Sequence, residues 1–195
     1  MTQTDLSRLN LQLSITRDGE KTRALLTLLR SSSFKKLTSI LLFATSRATT
    51  ERIAQLLDQH GYKAAAYHAG LEADARAKIQ KDFIENKTRV LCCTIAFSMG
   101  IDKSDIQSVI HYDLPRSIEN YVQEIGRAGR DGKTARCHMF LNNADFYHLR
   151  GITLSDLLNN LSAMRLTNLA ILEAKKQFYK QINTQAGVEE PTKKR

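Results

Sequence analysis

No stretch of the sequence approaches the roughly 18 uninterrupted apolar residues of a membrane-spanning helix, and residues 1 to 30 alternate polar and apolar positions without a signal-peptide core. A soluble intracellular protein with no membrane partner is the expectation. Cysteine is scarce: three residues cannot all pair within the chain, and Cys92 and Cys93 are adjacent inside an apolar run, the setting of buried thiols in a reducing compartment. A disulfide scaffold is excluded. There is no internal repeat, and the basic end Lys193-Lys194-Arg195 is too short to act as a targeting signal. What is present is 195 residues, 42% hydrophobic and 25% charged, enough for one substantial core and short for two independent ones.

Lys and Arg number 29 against 20 Asp and Glu, and the resulting +9 points to a polyanionic partner, nucleic acid first and an acidic membrane second. The excess is spread over both halves of the chain. It suits a basic face assembled by folding, and equally a basic surface that is merely solvated.

Apolar periodicity switches repeatedly between strand and helix. Leu11–Thr16 alternates as a strand does, and Glu20–Arg30 carries Ala24, Leu25, Leu28 and Leu29 at helical spacing until Ser31-Ser32-Ser33 breaks it. Ile40–Thr45 is an unbroken apolar run suited to a strand buried on both faces. Thr49–Gln59 follows with Ile53, Ala54, Leu56 and Leu57 on one helical face, and Gly61 stops it. The cycle continues with a strand at Ala64–Tyr67, a helix at Glu72–Ile84, strands at Arg89–Thr94 and Ser108–Tyr112, a helix at Ile118–Ile125 and a strand at Ala135–Leu141. Such alternation predicts βαβ units in a three-layer α/β domain, its mainly parallel sheet covered by helices on both faces. Ligands of such sheets gather at the carboxyl ends of the strands, so the loops after Thr45, Tyr67, Thr94 and Asp113 are the places to seek chemistry. From Thr153 to Ile182 only helical periodicity remains, and beyond Thr184 the chain turns polar. The predicted organisation is a lead-in strand and helix at 1–36, the main α/β body at 37–150, an appended helical segment at 151–184 and a disordered polar tail at 185–195.

The most informative segment is Gln123-Glu124-Ile125-Gly126-Arg127-Ala128-Gly129-Arg130-Asp131-Gly132, where a predicted helix ends in a glycine-rich turn. Two arginines three apart share one side of a helical turn, and the glycines remove side chains that would block close approach. Planar guanidinium forks in that setting suit a triphosphate, and one aimed at a γ-phosphate acts as an arginine finger. Taken alone, an R-x-x-R at a helix end more often makes surface salt bridges. By the same standard Thr94 is a strand terminus with a hydroxyl able to hold a phosphate, His68 more often a turn or core histidine, and Cys92 and Cys93 structural.

The string QEIGRAGRDG resembles the last signature motif of RecQ-type superfamily 2 DNA helicases. Thr94–Pro115 (TIAFSMGIDKSDIQSVIHYDLP) is similar to the motif before it, Tyr67–Leu71 (YHAGL) to the segment before that, and Ile40–Arg47 (ILLFATSR) to the strand and turn opening the second motor domain. The motifs stand in the family's order over about residues 37 to 150. The ending LPRSIENYVQEIGRAGRDGKTARCHMFL resembles most the branch that includes the Rothmund–Thomson syndrome helicase.

The resemblance implies a RecA-like second motor domain, half of an ATP-driven translocase that separates DNA strands in the 3′ to 5′ direction in replication, recombination or repair. It implies that Arg130 is the arginine finger and Arg127 a second phosphate-sensing or coupling group. Gln123, Gly126, Gly129, Gly100 and Asp102 would line the nucleotide side, Asp102 toward the ribose hydroxyls or the domain interface. Ser46, Arg47, His68 and Thr94 would follow the DNA backbone. The cofactor implied is ATP with Mg²⁺, the partners are DNA and a first motor domain, and the compartment is the nucleus, or the cytoplasm for a bacterial source.

Two parts of a complete ATPase are missing. The phosphate cradle G-x-x-x-x-G-K-[ST] and a strand-end Asp-Glu pair for magnesium do not occur, and Asp18-Gly19-Glu20-Lys21-Thr22 only echoes the cradle, reading instead as a turn and helix start. The chain alone is expected not to turn over ATP. Ser98 stands where the family commonly has glycine, and no cysteine follows Cys137, so no zinc site is expected. Two other readings compete: a DEAD-box-type RNA helicase, whose comparable motif begins His-Arg rather than Gln123-Glu124, and a noncatalytic nucleic-acid binding or regulatory module.

Overall fold

The short aliphatic runs become strands and the amphipathic stretches become helices. The computed structural model describes residues 10–94, 103–142 and 145. Ser98, Gly100, Asp102, the segment expected to be helical at 151–184 and the tail at 185–195 lie outside the described residues. In chain order come β1 (Leu11–Arg17), α1 (Lys21–Arg30), β2 (Ile40–Phe43), α2 (Arg47–Gln59), β3 (Ala64–Tyr67), α3 (Ala73–Ile84), β4 (Val90–Cys93), β5 (Ser108–His111), α4 (Ile118–Ile125) and β6 (Ala135–Leu141). The strands form a single parallel sheet in the order β1-β6-β5-β2-β4-β3.

Strands β2, β4 and β5 are buried at every residue because helices cover both faces. Period-two alternation divides the core. Ile40, Leu42, Val90, Cys92 and Ile110 meet Leu25 and Leu29 of α1 and Ile53 and Leu57 of α2. Leu41, Phe43, Leu91, Cys93 and Val109 meet Phe83 of α3 and Ile125 of α4. Cys92 and Cys93 therefore face opposite helix layers, and burial pushes both thiols up, away from the reactive thiolate. The lead-in strand and helix share this architecture: β1 pairs with β6 from Leu11↔Ala135 to Arg17↔Leu141, and Leu25 and Leu29 are fully buried. At the sheet edge, β1 leaves Leu13 and Ile15 exposed.

Side-chain chemistry sets the boundaries that periodicity misjudged. Helix α2 starts at Arg47 rather than Thr49 because the Ser46 hydroxyl accepts the Thr49 amide at 3.0 Å as an N-cap. Strand β2 stops at Phe43 because the Thr45 amide and hydroxyl donate to Asp113 Oδ2 at 2.9 and 3.1 Å instead of extending the ladder. The Asp18–Thr22 echo is a helix start: Asp18 accepts the Glu20 amide at 2.8 Å and α1 begins at Lys21. The buried Lys21 ammonium lies 2.8 Å from Asp145 and 3.6 Å from Asp113, so its charge is already neutralised within the fold.

His138 on β6 adds a pH response. It is buried between Phe34 and Phe140, shares a 2.8 Å hydrogen bond with Ser14, and its pKa falls from 6.5 to about 4 because burial disfavours the imidazolium. The unfolded chain then binds more protons than the folded one between those values. Stability is full above about pH 6.5 and declines as pH falls toward 4, by up to about 3 kcal/mol. Chemical denaturation at pH 7 and pH 4.5 should show that decline in the wild type and a flatter dependence in His138→Phe. Equal slopes in the two proteins would contradict the assignment.

Candidate functional site

Register aligns the carboxyl ends of four strands. Phe43 pairs with Cys93 and His111, and Tyr67 with Cys93. Beyond these residues the Ala44 amide donates to Cys93 O at 3.0 Å, Tyr112 to Phe43 O at 2.9 Å and Thr94 to Tyr67 O at 3.4 Å. The turn at Thr45–Arg47, His68 and Thr94 consequently emerge along one edge. From β2 the chain proceeds to β3 and β4 on one side and then to β5 on the other, so the loops after β2 and β5 diverge at a topological switch point. A crevice opens there, lined by Phe43, Thr45, His111, Asp113, Pro115 and Glu124, among others.

The residues expected along DNA divide by depth. Ser46 and Arg47 are exposed, the Ser46 hydroxyl donating to Thr49 Oγ1 at 2.8 Å. His68 is only 3% exposed, and its Nε2 donates to Glu51 Oε1 at 2.8 Å. Thr94 is buried at the end of β4. Arg47 and His68 meet over Gly70: a Cβ there would stand 2.8 Å from Arg47 Nη1 and 3.2 Å from His68 Nδ1, so the bare glycine admits both side chains.

The arginine turn is built by backbone contacts. Helix α4, capped by the Ser117 hydroxyl, ends at Gly126, after which the Arg127 amide donates to Glu124 O at 3.2 Å and Ala128 to Ile125 O at 3.1 Å. Gly129 has φ +61°, in the left-handed region. Its amide donates to Ile106 O at 2.8 Å, and its carbonyl accepts Asn10 Nδ2 at 2.8 Å. Asp131 donates to Ser104 O at 3.1 Å. Among the described residues the turn is thus tied to the segments leading into β5 and β1.

On this support the two arginines differ. Arg130 is exposed, with its Nε donating to Gly126 O at 3.4 Å, and Gln123, seven residues earlier on α4, is exposed as well. Arg127 is 7% exposed. Burial lowers its pKa, the Arg130 charge lowers it further, and Cys93 and Glu124 oppose the shift.

The sequence reading passed over two groups. Asn10 holds both Gly129 O and Lys133 O, at 2.8 and 2.9 Å. His111 Nε2 donates to Glu124 Oε2 at 2.6 Å, both side chains being nearly inaccessible. A histidine closing the short buried strand Ser108–His111 was the available signal for the second. Among the described residues no cluster of three or more His, Cys, Asp or Glu is placed to hold a metal ion, and no helix is long and apolar enough to cross a membrane.

Residues 20–132 match the family of the helicase conserved C-terminal domain. Over 173 residues the chain is 40% identical to ATP-dependent DNA helicase Q4 of Homo sapiens, covering 80% of this chain and 14% of the relative. Over 114 residues it is 48% identical to ATP-dependent DNA helicase RecQ of Haemophilus influenzae, covering 58% of this chain and 18% of that one. The chain therefore spans a minor part of the length of these relatives. Its fold is similar to a DEAD box protein from the hyperthermophile Methanococcus jannaschii, with a TM-score of 0.63 and 32% identity over 76% of this chain and 40% of that one.

Proposed function

The chain belongs to the helicase conserved C-terminal domain family, among the RecQ-type helicases, and from that premise we propose that it is the second motor lobe of a 3′ to 5′ ATP-dependent DNA helicase. In this reading Arg130 is the arginine finger and Arg127 a second phosphate-sensing group, while Gln123, Gly126, Gly129, Gly100 and Asp102 belong to the nucleotide side. Ser46, Arg47, His68 and Thr94 serve the DNA-backbone groove. ATP and Mg²⁺ are gripped chiefly by a first motor lobe that carries the cradle and the acid pair. This chain by itself does not turn over ATP. The protein acts in DNA unwinding for replication, recombination or repair, in the nucleus or, for a bacterial source, in the cytoplasm.

The observation that carries the reading is the contrast within the arginine turn. Arg130 projects to solvent from a backbone anchored on the body of the domain, open to a companion lobe, while Arg127 is sheltered behind it. A guanidinium held in advance spends little reorganisation on a developing phosphate charge.

Mixing the chain with a first motor domain from a RecQ-type relative is expected to produce DNA-stimulated ATP hydrolysis that neither part shows alone. Fluorescence polarisation with labelled single-stranded DNA at two salt concentrations should report binding that weakens with salt. Salt-sensitive binding without restored turnover would instead favour the binding or regulatory module, the reading to which the missing cradle lends weight. A DEAD-box-type RNA helicase stands behind both, because Gln123-Glu124 replaces the His-Arg of that motif and the DNA-helicase relatives match better than its fold alone would require.

A further inference from the structure

Arg47 opens α2 at an electrostatic disadvantage. Its charge stands at the positive end of the helix dipole, where a cation is disfavoured, and the first turn of α2 holds no acid to offset it. Glu51, four residues on and on the same helix face, is the natural partner for the guanidinium. Its carboxylate instead accepts His68 Nε2 at 2.8 Å, and among the described residues the Arg47 side chain makes no hydrogen bond or ion pair.

The exposed cation is nonetheless seated. A Cβ on Gly70 would stand 2.8 Å from Arg47 Nη1 and 3.3 Å from Arg47 Cδ, so the side chain lies across the bare face of that glycine. The same point is 3.2 Å from His68 Nδ1, which is buried without a hydrogen-bond partner. With Nε2 committed as the donor to Glu51, a neutral ring carries its lone pair at Nδ1, on the side where the guanidinium lies. The Leu71 amide closes the turn by donating to His68 O at 3.1 Å, so a fixed His68 fixes Gly70 with it. Helix α2 therefore meets the turn after β3 at two points, Glu51 on His68 and Arg47 on Gly70.

Neither the dipole nor ion pairing accounts for an arginine at this position. An anion does, since an unpaired guanidinium beside the free amides of a helix N-terminus suits a phosphate. We propose that Glu51 and Gly70 are positioning residues for Arg47, which they hold ready for a backbone phosphate of single-stranded DNA. Glu51 engages His68 and so leaves the guanidinium without an acid. Gly70 gives it a bare surface to lie on, and the buried His68 acts as support rather than as a phosphate contact. This rests on the reading of this sheet edge as the DNA-backbone groove.

The test is polarisation binding of a labelled oligothymidine single strand to the 195-residue chain over a series of salt concentrations. Arg47→Ala is expected to weaken binding about 5- to 10-fold and to lower the slope of log affinity against log salt by about 0.7, as for one single-strand phosphate. Gly70→Ala should reproduce both changes. His68 is locked by Glu51, so the free end of Arg47 yields to the new Cβ, and the melting temperature should hardly move. The double variant of Gly70→Ala with Arg47→Ala should bind no more weakly than Arg47→Ala alone, as expected of groups acting as a unit. Glu51→Gln, whose amide oxygen still accepts from His68, should bind at least as tightly as the wild type. Glu51→Ala should bind at least about 3-fold more weakly and lose the same increment of slope. Both variants remove one negative charge, so a purely electrostatic role would make both bind more tightly. Glu51 is 58% exposed and alanine suits a helix, so this variant keeps the fold. Glu51→Ala binding as tightly as Glu51→Gln, or Gly70→Ala weakening binding further once Arg47 is gone, overturns the proposal. If Arg47→Ala leaves affinity and slope unchanged, the groove reading of this edge fails, and this inference with it. If Arg47→Ala weakens binding while Gly70→Ala and Glu51→Ala do not, only the positioning role falls.

Discussion

Arg130→Ala, in the chain assembled with a first motor domain, is expected to lower ATP turnover by about 10³- to 10⁵-fold, or roughly 4 to 7 kcal/mol of barrier. The size follows from what the residue would do: its fork meets charge that develops only as the γ-phosphate departs, so the loss falls on kcat rather than on ground-state binding. Arg130→Lys should recover little, because an ammonium cannot reproduce a bidentate planar fork. The domain should tolerate the change, since the side chain is exposed and its Nε makes a long 3.4 Å bond to Gly126 O. DNA affinity should stay within about 3-fold, as the turn is tied to the segments entering β5 and β1 while Ser46, Arg47, His68 and Thr94 stand at the carboxyl ends of other strands. Steady-state ATPase rates with polarisation binding in parallel measure both quantities. Normal hydrolysis by Arg130→Ala would falsify the motor reading.

Gly129→Ala should act on the same step from the backbone side. At φ +61° an L-residue is strained by about 1 kcal/mol, and the new Cβ would stand 2.6 Å from Asn10 Nδ2 and 2.9 Å from Lys133 O. Asn10 cannot move aside freely, because its amide holds Gly129 O and Lys133 O together. Losing those bonds brings the total to about 2 to 4 kcal/mol of stability. Turnover should fall by at least about 100-fold, since shifting the turn by an ångström misaligns Arg130. Gly132→Ala is the internal control: φ there is +81°, but nothing lies within 4 Å of the added Cβ, so strain alone remains, about 1 kcal/mol. A Gly129→Ala protein that melts no lower than Gly132→Ala would show that the crowding at Asn10 is not what shapes the turn.

Much of this architecture was legible beforehand. Strand and helix periods differ enough that Ile40–Phe43, Val90–Cys93 and Ser108–His111 announce buried strands, and Ile118–Ile125 and Ala135–Leu141 match the sequence reading residue for residue. Caps were harder to read. A serine before an arginine does not advertise that α2 begins at Arg47, because the cap depends on a hydroxyl reaching one particular amide. The site divided in the same way. Gly126, Arg127, Gly129 and Arg130 were conspicuous as a local pattern, whereas Asn10, His111 and Glu124 acquire meaning only through partners far along the chain or across the sheet.

Local chemistry, then, determined the kinds of element, their sequence of strands and helices, the parallel sheet and the presence of an arginine turn, because period, turn residues and motif spacing are properties of neighbouring residues. Tertiary structure alone decided which arginine faces solvent and which is sheltered, that Cys92 and Cys93 part to opposite layers, and that a histidine at the end of β5 grips the acid before Arg127. Depth and counter-charge depend on groups brought together by packing, and no window of sequence contains them.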